Sequence, residues 1–371
     1  INVGAQSYWN SVATMLNHCA GMLLMVEGTS MVLTGRRALA RSGGVSETED
    51  TLLGGYDAVM GPNGQSHHVA PDFGQAYRMV LLHHKMLADT SRPRYTCDPW
   101  DRDVCSSREI ASILDHRHNP ARKTPFAIRP VMEALKDTDS GLLERWSDAS
   151  GADGAVVWDT RVGGRAVTLI GIESHHRRDA DGPGENQTWW AAGTLYPAAA
   201  KKIARALNHA SGRRPVAVLA NLAGFDGSAW SLRNHQLEFG AEIARAVVNF
   251  DGPIVVFVIG RFHGGAYVVF NKTLNDGVRM LAVEGTKVSV IGGSAAAEVV
   301  LTKKVQARAA ELEGDAHAAA AEVASEFDAV HSVERAHAVG SVDAVIAAGQ
   351  LRPAMIGELN AACDARELRS G

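Results

Sequence analysis

The sequence predicts an α/β fold, with a largely parallel sheet and helices packed outside it. Three observations lead there. Helix and strand signals alternate along most of the chain, which is the order of βαβ units. The strand-like runs, such as 215-PVAVLANL-222 and 253-PIVVFVI-259, are almost purely apolar, as strands covered on both faces must be. One segment also occurs twice: 22-MLLMVEGTSMVLTGRRAL-39 and 280-MLAVEGTKVSVIGGSAA-296 share V-E-G-T, a branched strand, a Gly and a helix-compatible stretch.

The elements follow in order. Residues 7–19 read as a helix, followed by strand-like 21-GMLLMV-26 and 30-SMVLTG-35. Residues 72–88 read as a second helix. From Thr90 to about Lys123 the chain is rich in Pro, Asp, Arg and Cys, the composition of a loop or connection. Residues 128–137 read as helical. The stretch 155-AVVWDTRVGGRAVTLIGIES-174 is two β-rich runs around 163-GG-164, a hairpin signal. Polar 175–187, with 174-SHHRR-178 at its start, reads as a solvated loop. Residues 196–209 form a helix entered at Tyr196-Pro197, where Pro suits the first turn. A buried strand at 215–222, a long helix at 230–249 and a strand at 253–259 come next. The Ala/Glu-rich stretch 303–338 is a packed or partner-facing helical region, because Ala is the best helix former.

With 371 residues, 46% of them hydrophobic, the chain can bury two cores. A net charge of −4 gives no basic footprint for nucleic acid. No apolar run approaches the roughly 20 residues that span a bilayer. Cys19, Cys97, Cys105 and Cys363 form no C-x-x-C pair, so neither a zinc ribbon nor a dithiol motif is expected. Sparse cysteine suits a reducing compartment, and a cytoplasmic location is expected. The first residue is Ile, and 1-INVGAQSYW-9 reads like the end of a strand entering a turn. An upstream segment is therefore expected. There is no signal-peptide pattern.

The repeat carries the chemistry. Upstream of each V-E-G-T lies a Gly-Ala step, Gly4-Ala5 and Gly265-Ala266, following strand-like sequence and preceding a helix-like run. Two such units in one order are read as a duplication. A helix's first turn has N–H groups without internal partners, and the helix dipole adds positive charge there. Small residues let a ligand approach. An enolate or tetrahedral oxygen placed there is stabilised by preorganised dipoles. Two such turns point to two carbonyl groups on two substrates.

Other residues admit plainer roles beside functional ones. Lys201 and Lys202 begin a helix, which the dipole disfavours, so a phosphate contact competes with a solvated face. Arg36 and Arg37 follow the first V-E-G-T and could serve phosphates in the same way. His67 and His68 sit in turn-rich 61-GPNGQSHH-68, and no third metal ligand lies at helical spacing, so no metal is assigned. Asn221 ends a buried strand and is expected to tie down a turn. Arg261 and His263 flank Gly264-Gly265, either as surface cations or as groups that orient a carboxylate.

Several stretches resemble the carboxyltransferase component of biotin-dependent acyl-CoA carboxylases, of the acetyl- or propionyl-CoA type. They are 215–270, 192-AGTLYPAAAKKIARALN-208, 51-TLLGGYDAVMGPNGQSHHVAPD-72 and 326-EFDAVHSVERAHAVGSVDAVI-346. The resemblance implies two crotonase-like (ββα superhelix) domains, the first truncated at its N-terminus. Residues 1–120 would be the partial first domain plus connection, and 121–371 the second. It implies carboxyl transfer from carboxybiotin on a carrier domain to acetyl- or propionyl-CoA. The oxyanion turns would be Gly4-Ala5 for the thioester and Gly265-Ala266 for the ureido carbonyl, with Gly264 shaping the second.

His263, Arg261, Tyr267, Lys201 and Arg36 would then be substrate or biotin contacts. Relatives often carry Arg directly before the Gly-Gly. His263 stands there, so a simple Arg–carboxylate clamp is not expected. Implied partners are biotin carboxylase, the biotin carboxyl carrier, and further copies of the chain in a dimer or ring of dimers. Two other functions fit the same features. One is an acyl-CoA decarboxylase taking malonyl- or methylmalonyl-CoA, and the other is a non-catalytic assembly subunit.

Overall fold

Strands buried on both faces leave no room for alternating polar residues, and the chain's most apolar runs become the middle of one sheet. The computed structural model describes residues 2–42, 49–88, 99–115, 117, 119–120, 122, 124–138, 140–178 and 189–370. Among them the strands are β1 (Asn2–Val3), β2 (Leu24–Val26), β3 (Met31–Val32), β4 (His68–Ala70), β5 (Leu143–Glu144), β6 (Ala155–Val162), β7 (Arg165–Ile172), β8 (Thr194–Leu195), β9 (Val216–Leu222), β10 (Gly224–Phe225), β11 (Ile254–Phe262), β12 (Val278–Val283), β13 (Lys287–Val288) and β14 (Ala344–Ile346). The main sheet runs β14-β12-β11-β9-β7-β6-β5, with β13 also on β11. It is parallel from β14 to β7 and antiparallel through β6 and β5.

Alternation along the central strands sorts two cores. Val216, Val218, Ala220 and Leu222 face one side with Val256 and Val258. Ala217, Leu219, Val255, Phe257 and Ile259 face the other. The helices Pro197–Ala210 and Gln236–Val248 cover the first side. Ile128–Leu135 and Leu351–Ser370 cover the second. Each fully buried side chain of Leu or Phe size contributes about 1.5–3 kcal/mol.

The β6–β7 hairpin turns at Gly163 and Gly164, with φ of 60° and 79°, as a two-residue turn requires. The Asp137 carboxylate accepts both of their N–H groups, at 2.8 and 2.6 Å. Arg352 of the C-terminal helix pairs with Asp137 at 2.8 Å.

Two expectations are corrected. The expected connection at 90–123 contains a helix, Pro99–Leu114. Its last turns bury Ile110 and Leu114 in the second core, and Ser106 Oγ donates to Ala134 O at 2.6 Å. Tertiary burial outweighs the polar, Pro-containing composition there. The expected long helix at 230–249 is two helices, Ala229–Arg233 and Gln236–Val248, broken where His235 adopts φ 67°. The expected loop at 175–187 lies mostly outside the described residues.

Among the described residues of the N-terminal part there are two short parallel pairs, β1–β3 and β2–β4, over a small core of Met25, Met31 and Tyr56. They join the main sheet through buried polar groups. Asp159, fully buried mid-strand, meets Arg145 at 2.5 Å and Arg214 at 3.2 Å. Arg145 donates to Gly21 O at 3.2 Å, His209 Nε2 lies 2.6 Å from the same oxygen, and Leu23 N donates to His67 Nδ1 at 2.7 Å. No helix among the described residues is long and apolar enough to cross a membrane.

Candidate functional site

The repeat seen in the sequence is a repeat in geometry. Both V-E-G-T turns place glycine at φ 73°, Gly28 and Gly285. In both, the Thr hydroxyl donates to the Val carbonyl at 2.7 Å, Thr29 to Val26 and Thr286 to Val283. β1 pairs in parallel with β3 just as β11 pairs with β13, and β2 pairs with β4 as β12 pairs with β14.

The glycine turns match as well, one residue away from the expected register. Gly4 and Gly264 both have φ 65°. Gly4 N donates to Val32 O at 3.0 Å and Gly264 N to Val290 O at 2.8 Å. Ser7 N donates to Gly4 O and Tyr267 N to Gly264 O, at 3.0 and 3.1 Å. Gly4 therefore corresponds to Gly264, and Ala5 to Gly265. Helices begin at Ala5 and at Gly265. Their first N–H groups have no carbonyl of the same helix within reach, which leaves them as donors for an acceptor from outside.

The second turn is closely packed. A Cβ on Gly265 would lie 2.5 Å from the Phe225 ring, and one on Gly264 would lie 3.4 Å from Gly224 Cα. The loop after β9 thus meets the loop after β11. Sequence reasoning left residues 223–227 out of the site. Their signal was available, since 223-AGFDG-227 ends a buried strand in glycines as 264-GG-265 does.

Asn221 pins the two strand ends. Its Oδ1 accepts from Arg261 N at 2.9 Å and its Nδ2 donates to Ser174 Oγ at 3.0 Å. Gly260 and Gly193 make room for it, because a Cβ on either would approach Asn221 within 2.4 and 2.7 Å.

Arg261 and His263 are not surface cations. His263 is buried, and its Nδ1 lies 3.0 Å from Ser289 Oγ and 3.3 Å from Ser289 O. The hydroxyl donates to Ile291 O, so Nδ1 carries the proton and Nε2 keeps its lone pair. Burial pushes the imidazole pKa down, so the ring is neutral at pH 7. Arg261 is half-buried, donates weakly to Ala192 O at 3.4 Å, and leaves Nε without an acceptor. Burial lowers its pKa too.

Tyr267 packs near Phe262, with ring centroids 6.0 Å apart. It lines a cavity of about 230 Å³ with Ser289, Phe327 and His331. Lys201 lies over the Phe239 ring at 5.3 Å. Lys202 is buried rather than on a solvated face. Arg36 is exposed at the start of the helix Arg36–Ser42. His67 and His68 are buried at the junction, and among the described residues no group of three or more His, Cys, Asp or Glu is placed to hold a metal ion.

The mixed α/β architecture has a solved counterpart. Transcarboxylase 12S, solved as a hexamer with methylmalonyl-coenzyme A and methylmalonic acid bound, superposes with a TM-score of 0.73 at 22% identity, over 96% of this chain and 63% of that one. The chain belongs to the carboxyl transferase domain family, whose profile matches residues 15–370. It is 28% identical over 275 residues to the mitochondrial acetyl-CoA carboxylase of Saccharomyces cerevisiae, covering 68% of this chain and 12% of the yeast protein. It is 26% identical over 291 residues to the acetyl-CoA carboxylase of Schizosaccharomyces pombe, again spanning 12% of that protein.

Proposed function

We propose that the chain moves a carboxyl group from carboxybiotin to the α-carbon of a short acyl-CoA, acetyl or propionyl. The observation that carries this reading is the pair of like-built glycine turns, each opening a helix whose first N–H groups are free to receive an oxyanion. Carboxybiotin supplies the carboxyl group and, once that has left, a ureido anion basic enough to take the α-proton. The chain's part is electrostatic. Ala5 N–H faces the thioester oxygen as enolate charge develops, and the N–H groups of Gly265 and Ala266 face the ureido oxygen. A single such donor contributes about 2.7–4 kcal/mol to transition-state stabilisation. No side chain need act as base, because the ureido anion takes the α-proton.

The residues fit these groups. Glycine at Gly264 keeps the turn open where any Cβ would be strained, and both turns offer donors of the kind a carbonyl oxygen needs. We assign Arg261, His263 and Tyr267 to the biotin side, and Lys201 and Arg36 to coenzyme A phosphates. The chain is read as two crotonase-like domains, 1–120 including the connection and 121–371. Working assembly is taken to be a dimer or ring of dimers with biotin carboxylase and a biotin carrier, in the cytoplasm.

The test is carboxyl exchange between malonyl- or methylmalonyl-CoA and biotin, by the wild type and Gly264→Ala. Exchange in the wild type and its loss in the variant support the reading. A folded wild type that exchanges neither ester sinks it. Gly265→Val is a poorer probe, because its side chain would displace Phe225.

A further inference from the structure

A cavity of about 540 Å³ lies where the helix Pro197–Ala210 meets the start of Gln236–Val248 and the Pro62–Gly64 turn. That is within the range of small-molecule pockets. Its charge is one-sided. Lys201, Lys202 and Arg205 line it, and among the described residues no Asp or Glu does.

Lys202 is the decisive group. It is 4% exposed, and its ammonium has no hydrogen-bond or ion-pair partner among the described residues. The carboxylates that act on it, Glu144 and Asp153, make no ion pair with it and are already engaged by Arg129 and Arg177. Burial holds the Lys202 amine down at about 8, a cost that a bound anion would remove. Arg205 spends one N–H on Gly64 O, at 2.9 Å, and keeps its other donors.

The remaining walls are aromatic. Trp190 and Trp230 meet edge to face at 6.0 Å, and Phe239 carries Lys201 over its ring. Flat aromatic walls beside unneutralised cations suit a ligand that is itself a flat ring bearing phosphate.

We propose that this cavity binds a phosphorylated nucleoside, with phosphate on Lys201, Lys202 and Arg205 and the base against Trp190, Trp230 and Phe239. The ligand chemistry has two sources, the adenosine end of coenzyme A or a free nucleotide. Only the first rests on the carboxyl-transfer reading.

Intrinsic fluorescence reads the site directly, since Trp146, Trp190 and Trp230 line it and are three of seven tryptophans. The full chain is titrated with adenosine 3′,5′-bisphosphate, ADP and inorganic phosphate, and the wild type is compared with Lys202→Met and Lys201→Gln. The expected result is saturable quenching with a Kd of about 1 mM or tighter, weakened about tenfold in each variant. Preference for the 3′,5′-bisphosphate assigns the coenzyme A end, and equal binding of ADP assigns a free nucleotide. No binding of either nucleotide, phosphate binding as tightly as both, or variants that bind like the wild type would each overturn the proposal. Gly264→Ala is expected to lose carboxyl transfer and keep nucleotide binding, so failure here and failure of the transfer reading are distinguishable.

Discussion

The turn at Gly4 and the turn at Gly264 share φ, backbone hydrogen bonds and the helix that follows, but they are supported very differently. Gly264 follows a nine-residue strand in the middle of the main sheet, against the Gly224–Phe225 segment, with His263 buried before it and Asn221 pinning the strand at Arg261. Gly4 follows a two-residue strand paired with one other short strand. A Cβ there would meet nothing closer than Leu33 O at 3.7 Å, and Tyr8 and Trp9 on its helix are 60% and 68% exposed. Backbone geometry alone therefore builds the donor pair, while the surrounding core decides how rigidly it is held.

The largest expected effect breaks the junction that holds the first copy against the second. Asp159→Ala leaves Arg145 and Arg214 buried without their counter-charge, and should cost about 3–5 kcal/mol in denaturant unfolding. A loss under about 1 kcal/mol would mean that the junction does not support the fold.

Next, alanine at either left-handed glycine puts a Cβ where φ is 65°, costing about 1–2 kcal/mol of stability. Both changes should lower carboxyl transfer by about 10²–10³ in kcat. Gly264→Ala should be the more destabilising of the two, because Gly224 is already in contact. If Gly4→Ala left turnover unchanged, the two turns would not be functional equivalents.

For each ring and each pH unit the pH response is smaller, and it separates the copies in another way. Burial holds His68 at about 3 and His83 at about 4, both below the ordinary 6.5. The folded state keeps these rings neutral while the unfolded chain takes up protons. Stability should therefore fall as pH drops from 6.5 towards 4, by about 1 kcal/mol per unit for each ring. The guanidiniums of Arg145 and Arg214 outweigh burial and hold Asp159 at about 2, so its contribution is present above about pH 4 and disappears as pH falls through 2. Thermal melts between pH 4 and 7 read the first effect, and a flat profile would contradict it. Smallest of all, Trp9→Ala should change the stability of the isolated chain by no more than about 0.5 kcal/mol.

Much of this was legible in the sequence, because patterns with a physical period are. The apolar runs of β9 and β11, the Gly163-Gly164 hairpin and Pro197 at a helix start have local causes. The V-E-G-T pair exposed the duplication because its turn needs that glycine and that threonine. The register of the glycine turns was not legible, since a Gly-Gly-Ala string fits two alignments, and the φ of Gly264 with its hydrogen bonds to Val290 O and from Tyr267 N chooses one. Nor was the helix at Pro99–Leu114, whose composition is that of a loop and whose order comes from burying Ile110 and Leu114. The neutral His263 and the unpartnered Lys202 depend on burial by distant segments, which no local pattern records. The same is true of the contact between Phe225 and Gly265, forty residues apart in the chain.

The most direct test of the central claim is biotin-dependent carboxyl exchange with malonyl- and methylmalonyl-CoA, measured alongside coenzyme A ester affinity in the wild type and Gly264→Ala. Two functional oxyanion turns predict exchange in the wild type and a loss of about 10²-fold or more in the variant, with ester affinity changed less than about threefold. Undiminished exchange in a folded Gly264→Ala protein would contradict the account.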